Sequence, residues 1–311
     1  SDVLIQNLRP GAVERLGLGP AAMCELNPRL VYLSVTGFGA DEASRGRVGF
    51  DIAAQAESGL MSVTGDPDGQ PQKVGVPIID SAATHVGAQG VLAALFQRER
   101  TGRGAILETS LLEVALSLQA ANFTDFLSRG VEPLRTGNGQ PNNAPAAELV
   151  ETRDGTIVLS AYAEDHWVRF CRIFDREDLI VDPRLATNEA RVANRAVLRA
   201  ALADMLSGYT SDDCVALLTQ NQIVAGVVRG YRSARESRAV DGSGIFCRTE
   251  SGRGAGYETM GLPYRFAGAQ RRPTHPRPDI GADGLDVLRG AGFDDAEIEF
   301  FFASGIVRKA S

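Results

Sequence analysis

KVGVPIIDSAATHVGAQGVLAALFQRERTGRG, residues 73–104, is the stretch whose reading decides the fold. Val74, Val76, Ile78 and Ile79 form a short apolar run bounded by Gly and Pro, which predicts a buried strand. Residues 81–100 carry Val86, Gly90, Val91, Ala94 and Leu95 at helical spacing, so a helix follows at once. Asp80 therefore falls at or beside the N-cap, where its side chain accepts backbone N–H bonds and the helix dipole favours its ionised form. Local pattern leaves two readings open: a capping carboxylate worth about 1 kcal/mol, and a reactive one.

Working outward, Val3, Leu4 and Ile5 predict a strand that ends at the turn Arg9-Pro10-Gly11. Helices are expected over 12–16 and 20–26, where Pro20 suits a first helical position. LVYLSVT, residues 30–36, reads as a strand stopped by Gly37 and Gly39. A helix at 50–60 precedes residue 73, and a strand at 105–109 leads into a long helix at 110–126. This alternation indicates an α/β protein with βαβ units and a parallel sheet.

After Arg135 the texture changes. RTGNGQPNNAPAAEL is a Gly, Asn and Pro loop without periodicity. A strand at 156–161 follows the Asp154-Gly155 turn, then helices at 164–174, 188–206 and 211–221, which together make a smaller α+β unit. Leu198, Leu202 and Met205 give the middle helix one apolar stripe. Residues 242–256 read as loop, and RRPTHPRP, residues 271–278, as a basic, Pro-rich strap. Two short helices are expected within 286–306, the second opening at Asp294-Asp295.

Composition narrows the class of function. With 311 residues and 44% hydrophobic content the chain can bury a large core or two ordinary ones. No apolar run approaches the length that crosses a bilayer and no signal peptide is seen, so no membrane contact is expected and the cytoplasm is the expected location. A net charge of -7 argues against nucleic acid as a partner. An anionic small ligand would need a local basic patch, for which Arg9, Arg15, Arg45 and Arg47 are candidates; a solvated surface face is the alternative reading. Cys24, Cys171, Cys214 and Cys247 show no C-x-x-C spacing and read as small buried hydrophobes. His85, His166 and His275 are too far apart for a helical metal pair, and no metal is expected.

The order of several segments resembles the class III CoA-transferases and the related 2-methylacyl-CoA racemases. These segments are DVLIQNLRPGAVERLGLG (2–19), NPRLVYLSVTGFG (27–39), GFDIAAQAESGLMSVTGDPDG (49–69) and VGVPIIDSAATHVGAQGVLAALFQRERTGRG (74–104), followed by GNGQPNNAP (137–145), DPRLATNEARVANR (182–195) and GLPYRF (261–266). The resemblance covers nearly the whole chain, and its strength lies in their shared order. It implies a Rossmann-like parallel-sheet large domain over 1–140, a smaller α+β domain over 146–248, and a strap with a C-terminal return over 249–311. It also implies an interlocked homodimer, and further strand–helix units ahead of Ser1.

The same resemblance implies chemistry. Asp80 takes the position of the carboxylate that attacks an acyl-CoA thioester, passing through a mixed anhydride to an aspartyl-CoA thioester that an incoming carboxylic acid resolves. Coenzyme A thioesters are then substrates. Asp51 matches an acidic residue kept near the active site. Gly137, Asn138, Gly139 and Gln140 match a glycine-rich loop able to bring backbone N–H groups close to a developing oxyanion. Asn7 and Arg15 match contacts to the CoA nucleotide, and Phe50 is placed with them among the CoA-binding residues. Phe50 stands where the racemases place a histidine, and a phenyl ring can neither take nor return a proton. CoA transfer is therefore the expected activity, with an acyl-CoA racemase or isomerase and a non-catalytic truncated paralogue as the alternatives. His85 should point about 140° around the helix from Asp80 and reads as a packing or surface residue. Glu113 reads as a helix-surface acid.

Overall fold

Val31, Tyr32, Leu33 and Ser34 are buried in succession, the pattern of a strand covered on both faces. They belong to β2 (Val31–Thr36), the middle strand of a parallel sheet with β1 (Val3–Gln6) and β3 (Ala105–Ser110). Val3 lies opposite Val31, and Val31 opposite Ala105. This is a computed structural model, and it describes residues 1–39, 41–44, 46–140, 146–161, 163–251, 254–268 and 280–308. Arg45, Pro141 to Pro145 of the glycine-rich segment, His275 and the strap at 271–278 lie outside the described residues.

The crossover from β2 to β3 runs through the helix Ile78–Thr101, which rests on both strands. Its carboxyl-terminal end is tied to the start of the sheet. Arg98, which is buried, meets the Asp2 carboxylate at 3.0 Å and donates to the Arg29 carbonyl at 3.1 Å. Gly104 donates its N–H to Pro28 O, and a Cβ at that position would lie 1.9 Å from Leu30 O, so only glycine lets the chain turn into β3 there. The helix thus runs antiparallel to the strands, and its first turn, with Asp80, lies on the carboxyl side of the sheet. That is the side on which open α/β sheets bind ligands.

The expected strand at Val74–Ile79 does not form. Residues 70–77 have no regular ladder, and the helix begins at Ile78, which makes Asp80 its third residue and Pro77 its N-cap. Bulky apolar residues suggested a strand, but Ile78 and Ile79 are the first residues of the helix instead. Ile79 is fully buried with Ala54, Ala83, Val114 and Ala115 in a small core beneath that first turn. Three predicted helices break. Residues 50–60 give Asp51–Glu57 and Leu60–Val63, and 110–126 give Leu111–Ser117 and Ala120–Arg129. At the second break the Gln119 amide donates to the carbonyls of Ser58 and Ala115, both at 3.0 Å. The helix at 188–206 divides at Asn194, whose side chain donates back to Ala190 O.

The chain forms two compact units, Ser1–Val227 and Val228–Ser311. The first contains a larger core as well, built on an antiparallel sheet of β4 (Ala147–Glu151), β5 (Thr156–Ser160) and β6 (Val224–Val227). Trp167, Phe170, Leu198, Leu202, Met205 and Leu218 bury against it, so the predicted stripe is realised. In the second unit, the loop expected over 242–256 is largely strand among the described residues. β7 (Phe246–Ser251) and β8 (Gly254–Met260) pair antiparallel, with Phe246 opposite Met260. Polar strand residues such as Thr249 obscured the alternation. The last two helices are Gly284–Gly290 and Asp295–Ala303, and Asp294 caps the second in a reciprocal capping box with Glu297.

Candidate active site

The first turn of the helix Ile78–Thr101 is capped by a carboxylate that is remote in sequence. Asp51 Oδ2 accepts the N–H of Ile79 at 2.7 Å and that of Asp80 at 3.2 Å. Pro77, at the N-cap, offers no side-chain acceptor. Asp51 Oδ1 accepts from Gln55 Nε2, one helical turn along Asp51–Glu57, and Gln55 Oε1 accepts the N–H of Val74 at 2.9 Å. Gln55 is 0% exposed and Asp51 9%.

Relieved of the capping role, the Asp80 carboxylate has no hydrogen bond or ion pair among the described residues. Only its backbone is engaged, the N–H donating to Asp51 and the carbonyl accepting from Thr84 Oγ1 at 3.0 Å. The side chain is exposed in the single chain. Its pKa is nevertheless raised, first by partial desolvation and then by the negative charge of Asp51. The expected stabilisation of its ionised form by the helix end is outweighed by that desolvation and by the Asp51 charge. Phe50, the N-cap of the Asp51 helix, is 72% exposed and carries no titratable group.

The glycine-rich loop is anchored at both described ends. Gly137 donates its N–H to Gly65 O at 3.2 Å, and Arg135 donates to the carbonyls of Ser62, Asp66 and Gly69. Gln140 donates its N–H to Ala147 O on β4. Gly139 lies over the Glu148–Arg195 pair, and a Cβ there would come within 3.2 Å of Ala147 O and of Arg195 Nη2. Glu148 is buried and accepts from Arg195 at 2.9 Å and from Arg199 Nε at 2.7 Å. No hydrogen bond among the described residues joins this loop to Asp80. The two are related through residues 62–74, where Gln72 donates to Thr64 O and Val74 to Gln55.

A cleft of about 1030 Å³ opens at the carboxyl ends of β1, β2 and β3, lined by Gln6, Gly11, Ser34, Thr36, Phe38 and Glu113 among others. Asp80 and Asp51 do not line it. Glu14, Asp41 and Glu108 also face it, and its described lining contains no Lys or Arg, a poor electrostatic match for phosphates. Asn7 and Arg15 are exposed beside the cleft, Arg15 with its guanidinium folded toward Gly11. Arg47, a candidate for an anion-binding patch, is committed elsewhere: it pairs with Glu57 and lies 3.9 Å from the Phe38 ring centre. Glu113 is a capping partner, accepting from Ser110 Oγ at 2.8 Å while its N–H donates to that oxygen. His85 is exposed. Gln55 escaped the sequence reading, although its position four residues after Asp51 on a helix was a usable signal.

Among the described residues no group of three His, Cys, Asp or Glu side chains is placed to hold a metal ion, and no helix is long and apolar enough to cross a membrane. The profile of CoA-transferase family III matches residues 1–284. A probable fatty acyl-CoA transferase of Mycobacterium tuberculosis is 32% identical over 295 residues, covering 90% of this chain and 73% of the relative. A succinate–glutarate CoA-transferase of Agrobacterium fabrum is 30% identical over 288 residues, covering 93% and 72%. The crystal structure of a CaiB/BaiF family protein from Brucella suis superposes with a TM-score of 0.83 at 28% identity, over 93% of this chain and 75% of that one. With the profile spanning both compact units and the fold shared with a solved member, the chain belongs to CoA-transferase family III.

Proposed function

We propose that this chain moves CoA from an acyl-CoA to a free carboxylic acid, with Asp80 as the acyl acceptor. The observation that carries the reading is an unbonded carboxylate of raised pKa on a helix turn whose N–H groups are already satisfied by Asp51. A carboxylate is a weak nucleophile in water, and fewer competing donors with a higher basicity make it a better one. Attack by Asp80 on the thioester carbonyl breaks the C–S bond, giving a mixed anhydride and CoA thiolate. The thiolate then attacks the Asp80 carbonyl, releasing the first acid and leaving an aspartyl-CoA thioester. The second acid attacks that thioester, and CoA returns to the new acyl group through a second anhydride.

Backbone N–H groups of the loop from Gly137 to Gln140 are the proposed oxyanion donors, and Asn7 and Arg15 the proposed nucleotide contacts, Arg15 through its two-pronged guanidinium. The active unit is proposed to be a homodimer: the exposure of Asp80 in the single chain leaves its desolvation to substrate and a second subunit. Racemisation needs two acid/base groups, whereas Phe50 supplies none and both oxygens of Asp51 are engaged.

The test is covalent capture. The protein is incubated with acetyl-CoA, succinyl-CoA or a long-chain fatty acyl-CoA, trapped with hydroxylamine or borohydride, and mapped by peptide mass spectrometry. Modification at Asp80 is expected; an unmodified Asp80 peptide with all three donors overturns the reading.

A further inference from the structure

We infer that Gln55 is a positioning residue for the Asp80 carboxylate, acting through Asp51 and Val74; the inference rests on Asp80 being the nucleophile. Gln55 and Asp51 are one turn apart on Asp51–Glu57, so their side chains share a face. Both ends of the Gln55 carboxamide are used, in total burial. Nε2 donates to Asp51 Oδ1, while Oε1 accepts the Val74 N–H at 2.9 Å.

Only an amide of this length satisfies both partners. The Asp51 carboxylate requires a donor and the Val74 N–H requires an acceptor, so the orientation of the carboxamide is set by the network. Glutamate lacks the donor, leucine lacks both groups, and asparagine is a methylene short. Residues 70–77 lack a strand ladder, and Gln55 supplies at Val74 the bond that a ladder would have given. Gln55 therefore fixes the Asp51 carboxylate that caps Ile79 and Asp80, and also the segment that delivers the chain into that turn. Displacing a nucleophile by about 1 Å can cost about 100-fold in rate, so a residue that never meets substrate can still govern turnover.

The experiment uses the full chain with whichever of the three acyl-CoA donors gives the strongest wild-type capture. Gln55→Leu and Gln55→Glu are expected to lower the rate of Asp80 capture at least 10-fold, with the KM for the donor within twofold of wild type. In Gln55→Leu the amides of Ile79 and Asp80 should exchange hydrogen at least 10-fold faster, while amides in the middle of the same helix do not change. The exchanged pair Asp51→Asn with Gln55→Glu can rebuild every bond: the introduced asparagine accepts from the helix N–H groups and donates to the introduced glutamate, which in turn accepts from Val74. This double variant should recover capture to within about threefold of wild type, which a generic packing role for Gln55 would not produce. Gln55→Leu capture within twofold of wild type overturns the inference, as does an exchanged pair no faster than the slower single variant. An unlabelled wild-type Asp80 is a different failure, one that removes the nucleophile itself.

Discussion

Asp51 caps the helix that carries Asp80: one carboxylate oxygen holds the N–H of Ile79 at 2.7 Å and that of Asp80 at 3.2 Å. The two acids thereby divide the work that a single N-terminal aspartate would otherwise combine. One is buried, fully bonded and structural; the other is unbonded and available. Their proximity also couples them electrically, since the Asp51 charge helps to raise the pKa of Asp80.

Asp80→Asn should abolish CoA transfer and hydroxylamine capture without unfolding the chain. The folded-state pKa of Asp80 lies above its ordinary value of 3.8. Its contribution to stability is therefore complete below the unfolded pKa and is lost as pH rises through the folded one. At neutral pH the ionised side chain does not stabilise the fold, so the melting temperature of Asp80→Asn should equal or exceed that of wild type in calorimetry. A large fall in melting temperature would mean that Asp80 has a structural role.

The acid limb of the rate profile should report the same carboxylate. The proposed attack requires Asp80 to be ionised, so kcat/KM should fall as pH drops through a midpoint above 3.8. Asp51→Asn keeps a capping oxygen and removes the neighbouring charge, which should move that limb to lower pH. Rate profiles of the two proteins at equal ionic strength check this; a shift to higher pH would contradict the assigned coupling.

Glu148 should matter to stability more than a surface acid would. It is buried and accepts from Arg195 and Arg199 beneath Gly139. Glu148→Ala leaves the half-buried Arg195 without its partner and should cost about 3 kcal/mol in denaturant unfolding. The base of the glycine-rich loop should loosen with it, read as faster hydrogen exchange at the Gln140 amide.

The four cysteines should separate by reactivity. Burial pushes the Cys171 thiol up to about 12 and the Cys214 thiol to about 11. Both are fully buried, whereas Cys24 and Cys247 are half-buried. A disulfide reagent at about pH 8 should label Cys24 and Cys247 in the native protein, and the other two only after denaturation. Early labelling of Cys171 would contradict the core built around Trp167 and Phe170.

Much of the architecture was legible locally. The apolar run Leu30 to Val35, interrupted only by Ser34, marked a strand, Pro20 marked a helix start, and Leu198, Leu202 and Met205 marked a buried stripe. The errors have a common origin. Val74 to Ile79 resembled a strand because apolar bulk does not distinguish a ladder from the buried first turn of a helix. Residues 242–256 read as a loop because Gly, Ser and charged side chains concealed the pairing of β7 with β8.

Periodicity and turn chemistry in the chain located the first parallel strands and the principal helices and placed an aspartate at the entrance to a long helix, because these depend on neighbours within a few residues. Tertiary structure alone decided which aspartate caps that helix and which is left free. Asp51 and Ile79 are 28 positions apart, and no local rule relates two groups that meet only after the intervening chain has folded back. The buried Gln55 amide makes the same point, for its two partners come together only once the helix Asp51–Glu57 and residues 70–77 have packed beside the sheet.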